Sequence, residues 1–393
     1  MEKIALLHAT IFGEKDVIEN GFLSIRNGQI EHIGEYDSPL PFQHGKIVHL
    51  PSTYKVIPGR IDVHIHGANG VDVMDATHDA LETMATSLPK EGTTSFLATT
   101  MTQSTKAIED AVSNVASYIK KKKNVPQADI LGIHLEGPFL NPEKTGAQPS
   151  EHLLDPSISL FDHWQRVADG WIKLVTVAPE LRGGLELIRH LQNNGVVASI
   201  GHTNATNEEV TKAIQAGATH VTHLFNGMRG LHHRDPGTAG TALLRDELKV
   251  EVIADGIHVH PEMLNLTYQV KSSDKIILIT DSMRAKCLRN GTYELGGQTV
   301  SVQDGEARLF DGTLAGSVLT MNDAVLNMMK YTECTLEESI VMSSVNPAKQ
   351  LGLFHQIGSL KEGKDADIVI LDEQNDVFMT ICKGKIAYQK EEF

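Results

Sequence analysis

Short apolar runs recur along the middle of the chain, near residues 56–65, 94–99, 130–136, 173–178, 196–201, 220–225, 250–255 and 275–281. Between several of them lie stretches with apolar residues at helical spacing, at 77–90, 105–122, 184–194, 207–217 and 261–271, with another around 320–332. The run Ile276-Ile-Leu-Ile-Thr280 has no polar alternation, as expected of a strand covered on both faces. Eight strands with helical crossovers predict an α/β fold, a (β/α)8 barrel of the TIM type. Gly291 to Phe310, with turn signals at Asn290-Gly291, Gly296-Gly297 and Asp304-Gly305, reads as a β excursion before the last helix.

The two ends follow a different pattern. Phe22-Leu-Ser-Ile-Arg26 and Gln29-Ile-Glu-His-Ile33 flank Asn27-Gly28, a hairpin signal. Asp367 to Asp372 and Val377 to Cys382 read as strands, with a turn at Lys383-Gly384 before Lys385-Ile-Ala-Tyr388. A small β-sandwich built from both termini, residues 1–57 and 355–393, is therefore expected beside a barrel at 58–354. The first residues, Met1 to Phe12, carry Glu2, Lys3 and His8 and read as a strand, not a signal peptide.

Composition narrows the class. The 393 residues carry a formal net charge of −15, which disfavours a binder of nucleic acid or anionic membrane. No apolar run reaches the roughly 20 residues that span a bilayer. Three scattered cysteines, Cys287, Cys334 and Cys382, give no disulfide framework and no thiolate zinc site, and a reducing cytoplasm is the expected setting. The 19 histidines matter by their placement.

In such a barrel the chemistry sits at the C-terminal ends of the strands. Those ends read Asp62-Val-His64-Ile-His66, His134-Leu-Glu136, Gly201-His202, His220-Val-Thr-His223, Ala254-Asp-Gly-Ile-His258 and Thr280-Asp281. His64 and His66 are two apart, so on a strand both project to one face. Each of these residues alone has an ordinary structural explanation, as a core histidine, a cap or a turn former. Together at one end of one barrel they point to a divalent metal site of imidazoles and carboxylates.

These residues resemble the amidohydrolase superfamily. The longer motifs His134-Leu-Glu-Gly-Pro-Phe139, Gly201-His-Thr203, Thr222-His-Leu-Phe-Asn226, His232-His-Arg-Asp-Pro-Gly237, Ile279-Thr-Asp-Ser-Met283 and Leu314-Ala-Gly-Ser317 are similar to those of the N-acetylglucosamine-6-phosphate deacetylases within it. The resemblance covers essentially the whole chain. It implies hydrolysis of the N-acetyl group of N-acetylglucosamine 6-phosphate to glucosamine 6-phosphate and acetate.

It implies metal ligation by His64, His66, Glu136, His202, His223 and Asp281, one or two ions of Zn, Fe, Co or Mn, with Glu136 as the bridge. No lysine ends strand four, at Val177-Ala-Pro-Glu180, to bridge in its place. Asp281 matches the general base, and His258 a residue that holds substrate and supports the oxyanion. Substrate contacts are expected at Ala147, Gln148, Asn226, Gly227, His233, Arg234, His258, Leu314, Ala315, Gly316 and Ser317. Gln148 is expected to touch the sugar without catalysing. Arg234 suits bidentate phosphate binding, and the resemblance implies a homodimer in which His233 and Arg234 reach the neighbouring site. Two other readings stand beside this one. One is an amidohydrolase acting on another N-acyl or cyclic amide, such as N-acetylgalactosamine 6-phosphate. The other is an inactive sugar-phosphate binder.

Overall fold

The computed structural model describes residues 3–36, 45–121 and 125–391. Its centre is an eight-stranded parallel sheet. The strands are β1 (Arg60–Ile65), β2 (Thr93–Thr100), β3 (Asp129–Glu136), β4 (Ile172–Val177), β5 (Val197–Ile200), β6 (His220–Val221), β7 (Lys249–Ile253) and β8 (Ile276–Ile279), each beside the next. The sheet closes past the strand ends, where Asp281 N–H donates to His64 O at 2.8 Å and His66 N–H to Ser282 O at 2.9 Å. Closure therefore brings together three residues singled out for metal binding.

Among the described residues, eight helices of eight residues or more wrap the barrel: α1 (His78–Ser87), α2 (Thr105–Lys120), α3 (Ile158–Val167), α4 (Gly184–Asn193), α5 (Asn207–Ala216), α6 (Gly237–Leu244), α7 (Pro261–Lys271) and α8 (Met321–Thr332). Local chemistry starts them. Thr77, Ser104, Ser157 and Thr320 accept backbone N–H bonds as N-caps, and Thr206 with Glu209 forms a capping box. Lys122, expected at the end of the second helix, lies outside the described residues.

Two expected strands are corrected. The run 56–65 splits at Gly59. Lys55–Pro58 belongs to a different sheet, and a Cβ on Gly59 would lie 2.0 Å from Thr94 Oγ1, so the chain bends where only glycine fits. The run 220–225 is a strand only at His220-Val221, because His223 and Phe225 take positive φ of 26° and 78°.

Strands from both ends form the second unit. One sheet has the order 29–35, 21–26, 3–7, 46–49; the other has 385–389, 377–382, 368–371, 55–58, 10–12, 17–18. Their inner faces share one apolar core that includes Leu6, Ile11, Leu23, Val56, Ile368 and Ile381. Residues 1–2, 37–44 and 392–393 of the expected terminal unit lie outside the described residues. A three-stranded meander, at 291–295, 298–303 and 306–308, packs on Met101, Met283 and Ala315 beside the barrel mouth. Among the described residues no helix is long and apolar enough to cross a membrane.

Candidate metal centre

Six side chains converge where the strands end. His64 and His66 come from the end of β1, Glu136 is the last residue of β3, and His202, His223 and Asp281 each follow a strand by two residues. The last three have positive φ, of 46°, 26° and 47°. Such a backbone costs about 1–3 kcal/mol in a non-glycine residue. It turns each chain sharply at its strand exit.

Glu136 is the hub. Its Oε1 lies 3.1 Å from Nε2 of both His202 and His223 and 3.5 Å from Nε2 of His64; its Oε2 lies 3.2 Å from Nε2 of His66. Asp281 Oδ1 is 3.4 Å from His64 Nε2 and 3.3 Å from His66 Nε2. The donors form two triads, His64–His66–Asp281 and Glu136–His202–His223, with ligand atoms within 4.8 Å of one another in each.

The outer ring nitrogens explain the orientation. His202 Nδ1 donates to Lys144 O at 2.8 Å, His223 Nδ1 to Asn226 O at 3.2 Å, and His64 Nδ1 to Glu251 Oε2 at 2.9 Å. A carbonyl or carboxylate only accepts, so each Nε2 is left with its lone pair facing the hub. His64 Nε2 is buried without a hydrogen-bond partner, and the Nε2 atoms of His202 and His223 lie 3.1 Å apart. Converging imidazole lone pairs around a carboxylate, with no thiolate, fit one or two divalent cations of the Zn, Fe, Co or Mn type.

Electrostatics agrees with that fit. Burial pushes the Glu136 carboxyl up, but the imidazoles of His64, His202 and His223 around it hold it well below the usual carboxylate range. Burial likewise opposes ionisation of Asp281, and His64 and His66 bring its pKa below the ordinary value. Both carboxylates are thus held in their ligating form; the same two carboxylates raise the pKa of His64 against the effect of burial and push that of His66 up to about 9, so a metal binding here displaces protons from these rings.

A cavity of about 340 Å³ opens over this cluster. Of the expected contact residues, Ala147, Gln148, Asn226, Gly227, His258, Leu314 and Gly316 line it. Both ends of the Gln148 amide are engaged by the protein. Its Nε2 donates to Glu136 Oε2 at 2.7 Å, and its Oε1 accepts Thr102 N–H at 2.8 Å. Gly227 packs so tightly that a Cβ would lie 2.9 Å from His202 Nδ1. His258 is held by Asp255, with Nδ1 to Oδ2 at 2.6 Å; burial lowers the imidazole pKa, and the Asp255 carboxylate raises it above its ordinary value.

Four expected contacts lie outside this chain's own cavity. Ala315 is buried in the meander's apolar cluster, and Ser317 Oγ donates to Thr280 O at 2.6 Å, so both side chains are taken up by the protein. His233 and Arg234 lie on an exposed loop, joined by Arg234 Nη1 to His233 Nε2 at 2.6 Å, and do not line their own chain's cavity.

Sequence reasoning missed two residues, Glu251 and Arg308, and gave His134, which it placed at a strand end, no role of its own. Glu251 sits mid-strand, where a lone Glu between valines reads as a solvent-facing position. His134, also inside the barrel, bonds Thr176 Oγ1 at 2.8 Å. Arg308, from the meander, is the cavity's one Lys or Arg among the described residues; only the meander's fold brings it there.

A family model, the amidohydrolase family, matches residues 55–387. The chain is 45% identical over 392 residues to the N-acetylglucosamine-6-phosphate deacetylase of Bacillus subtilis (strain 168), covering 100% of this chain and 98% of that one. It is 46% identical over 334 residues to the enzyme so named from Lysinibacillus sphaericus, covering 85% and 86%. A solved Mycobacterium smegmatis N-acetyl-D-glucosamine-6-phosphate deacetylase mutant in complex with N-acetyl-D-glucosamine-6-phosphate superposes with a TM-score of 0.91 at 31% identity, covering 99% and 100%. Barrel, strand-end cluster and full-length likeness agree, and the chain belongs to the amidohydrolase family.

Proposed function

We propose that the chain hydrolyses the acetamido group of N-acetylglucosamine 6-phosphate, releasing acetate and glucosamine 6-phosphate. The observation that carries this reading is the six-residue cluster at the floor of one cavity, in a chain that matches such deacetylases over its whole length. The intact ligand set argues against an inactive sugar-phosphate binder. His64, His66, Glu136, His202, His223 and Asp281 would hold one or two divalent ions, which when bound polarise the amide carbonyl and lower the pKa of water.

The protein's own groups do the rest. Asp281, ionised and beside His64 and His66, takes the proton of the attacking water and delivers it to the departing amine. His258 is fixed through Nδ1 by Asp255, which leaves Nε2 to donate to the carbonyl oxygen as negative charge develops there. Asn226, Gly227, Leu314 and Gly316 shape the sugar pocket, and Gln148 steadies Glu136.

The phosphate needs cations in a chain of net charge −15. His233 and Arg234 supply them from the exposed loop of a neighbouring subunit in a homodimer. Steady-state acetate release tests this. Arg234→Ala is expected to raise KM roughly 10–100-fold for the 6-phosphate, the worth of a charge-assisted contact, and to leave KM for unphosphorylated N-acetylglucosamine unchanged. An equal rise for both sugars contradicts the phosphate role. A phosphate-specific rise in Arg308→Ala alone would move phosphate recognition to the cavity's own guanidinium.

A further inference from the structure

We infer that Glu251 is the positioning residue that ties the two halves of the metal centre together, holding the side chain of His64 and the backbone of His223 with one buried carboxylate. Glu251 is fully buried in the middle of β7, with its side chain turned into the barrel below the cluster. Its Oε2 accepts His64 Nδ1–H at 2.9 Å and the backbone N–H of His223 at 3.1 Å. Its Oε1 accepts His220 Nε2–H at 2.9 Å, and its own carbonyl accepts Leu224 N–H at 2.9 Å. One residue thus anchors a ligand of the His64–His66–Asp281 triad and the segment that carries a ligand of the Glu136–His202–His223 triad.

Two consequences follow from the donor inventory. An ionised carboxylate cannot donate, so His64 must carry a proton on Nδ1, and in its neutral, metal-ligating form it presents a bare Nε2 to the site. His202 and His223 are fixed by neutral carbonyls, whereas His64 is fixed by a full negative charge, which makes its Nε2 the more basic ligand. His64 has 0% exposure, so its Nδ1–H relies on Glu251 and not on bulk water for an acceptor. The inference rests on the reading of the cluster as a metal centre.

The test uses the purified full chain, stripped and titrated with zinc against a chromophoric chelator, with the thermal midpoint of the metal-free protein measured beside it. In Glu251→Gln the amide oxygen can still accept from His64 and His223 while the amide nitrogen faces His220, which changes tautomer; the charge is lost. Glu251→Leu removes every acceptor. Outer partners of ligating histidines are typically worth 10–100-fold in metal affinity. Zinc affinity is expected to fall about 10-fold in Glu251→Gln and about 100-fold in Glu251→Leu. Wild-type affinity and stoichiometry in Glu251→Gln overturn the inference, including when its metal-free midpoint drops, because that is a purely structural role. Should Glu251→Leu fail to fold, Glu251→Gln decides alone. If the wild-type chain itself bound no zinc, the metal reading would fall; if it binds and Glu251→Gln matches it, only this inference falls.

Discussion

Asp281→Asn folds normally and loses about 10²–10⁴ of the turnover, the usual worth of a positioned acid–base group. The fold survives for identifiable reasons. Asn has nearly the same shape, and it tolerates the positive φ of 47° at this position. The bonds that close the barrel here are made by the Asp281 backbone, to His64 O and from Ser317 N–H, each at 2.8 Å. The side chain's proton acceptance is what disappears, because a carboxamide oxygen is far too weak a base to take a proton from water. The variant is to be assayed for kcat at wild-type metal content, with its melting temperature alongside. A kcat near that of the wild type at equal metal content would remove Asp281 from the proton path.

Glu136→Gln disables the centre differently. Glu136 is 2% exposed and its two oxygens face four imidazole nitrogens. Removing one partner of a buried ionic contact costs about 3–5 kcal/mol, which is ~100- to 4,000-fold in affinity. A neutral amide also turns an N–H toward one of the two sides that now see an oxygen. Bound metal per chain is expected to fall below one at concentrations that load the wild type, and acetate release to fall with it. Full metal occupancy in Glu136→Gln would mean that the carboxylate is not the bridge.

Much of this site was legible because spacing carries direction. His64 and His66, two apart on a strand, had to share a face, and they do. The single residues that end other strands were found by asking what lies at one end of a barrel. What stayed hidden depends on tertiary placement. Glu251 reads locally as a polar position between Val250 and Val252; only barrel closure reveals that it points inward to His64 and His220. Arg308 reaches the cavity because the meander folds back over the mouth. Helix α6 was not anticipated, since Gly237, Gly240 and two threonines are poor helix formers and its stability comes from nearly complete burial. The break at Gly59 falls inside 56–65, read as one strand, whose apolar residues on either side serve two different sheets. Ala315 and Ser317 were grouped with Leu314 and Gly316 by their motif, and packing in the meander's cluster and the bond to Thr280 separated them.

The central claim is that the Glu136-centred cluster, when it holds metal, releases acetate from N-acetylglucosamine 6-phosphate. The direct measurement is a zinc titration of the stripped protein that follows bound metal per chain and acetate release together. Negligible acetate is expected from the stripped protein, and a rate that rises with occupancy until the cluster is filled. Full-rate acetate release from the stripped protein, or none from the fully loaded one, would contradict that claim.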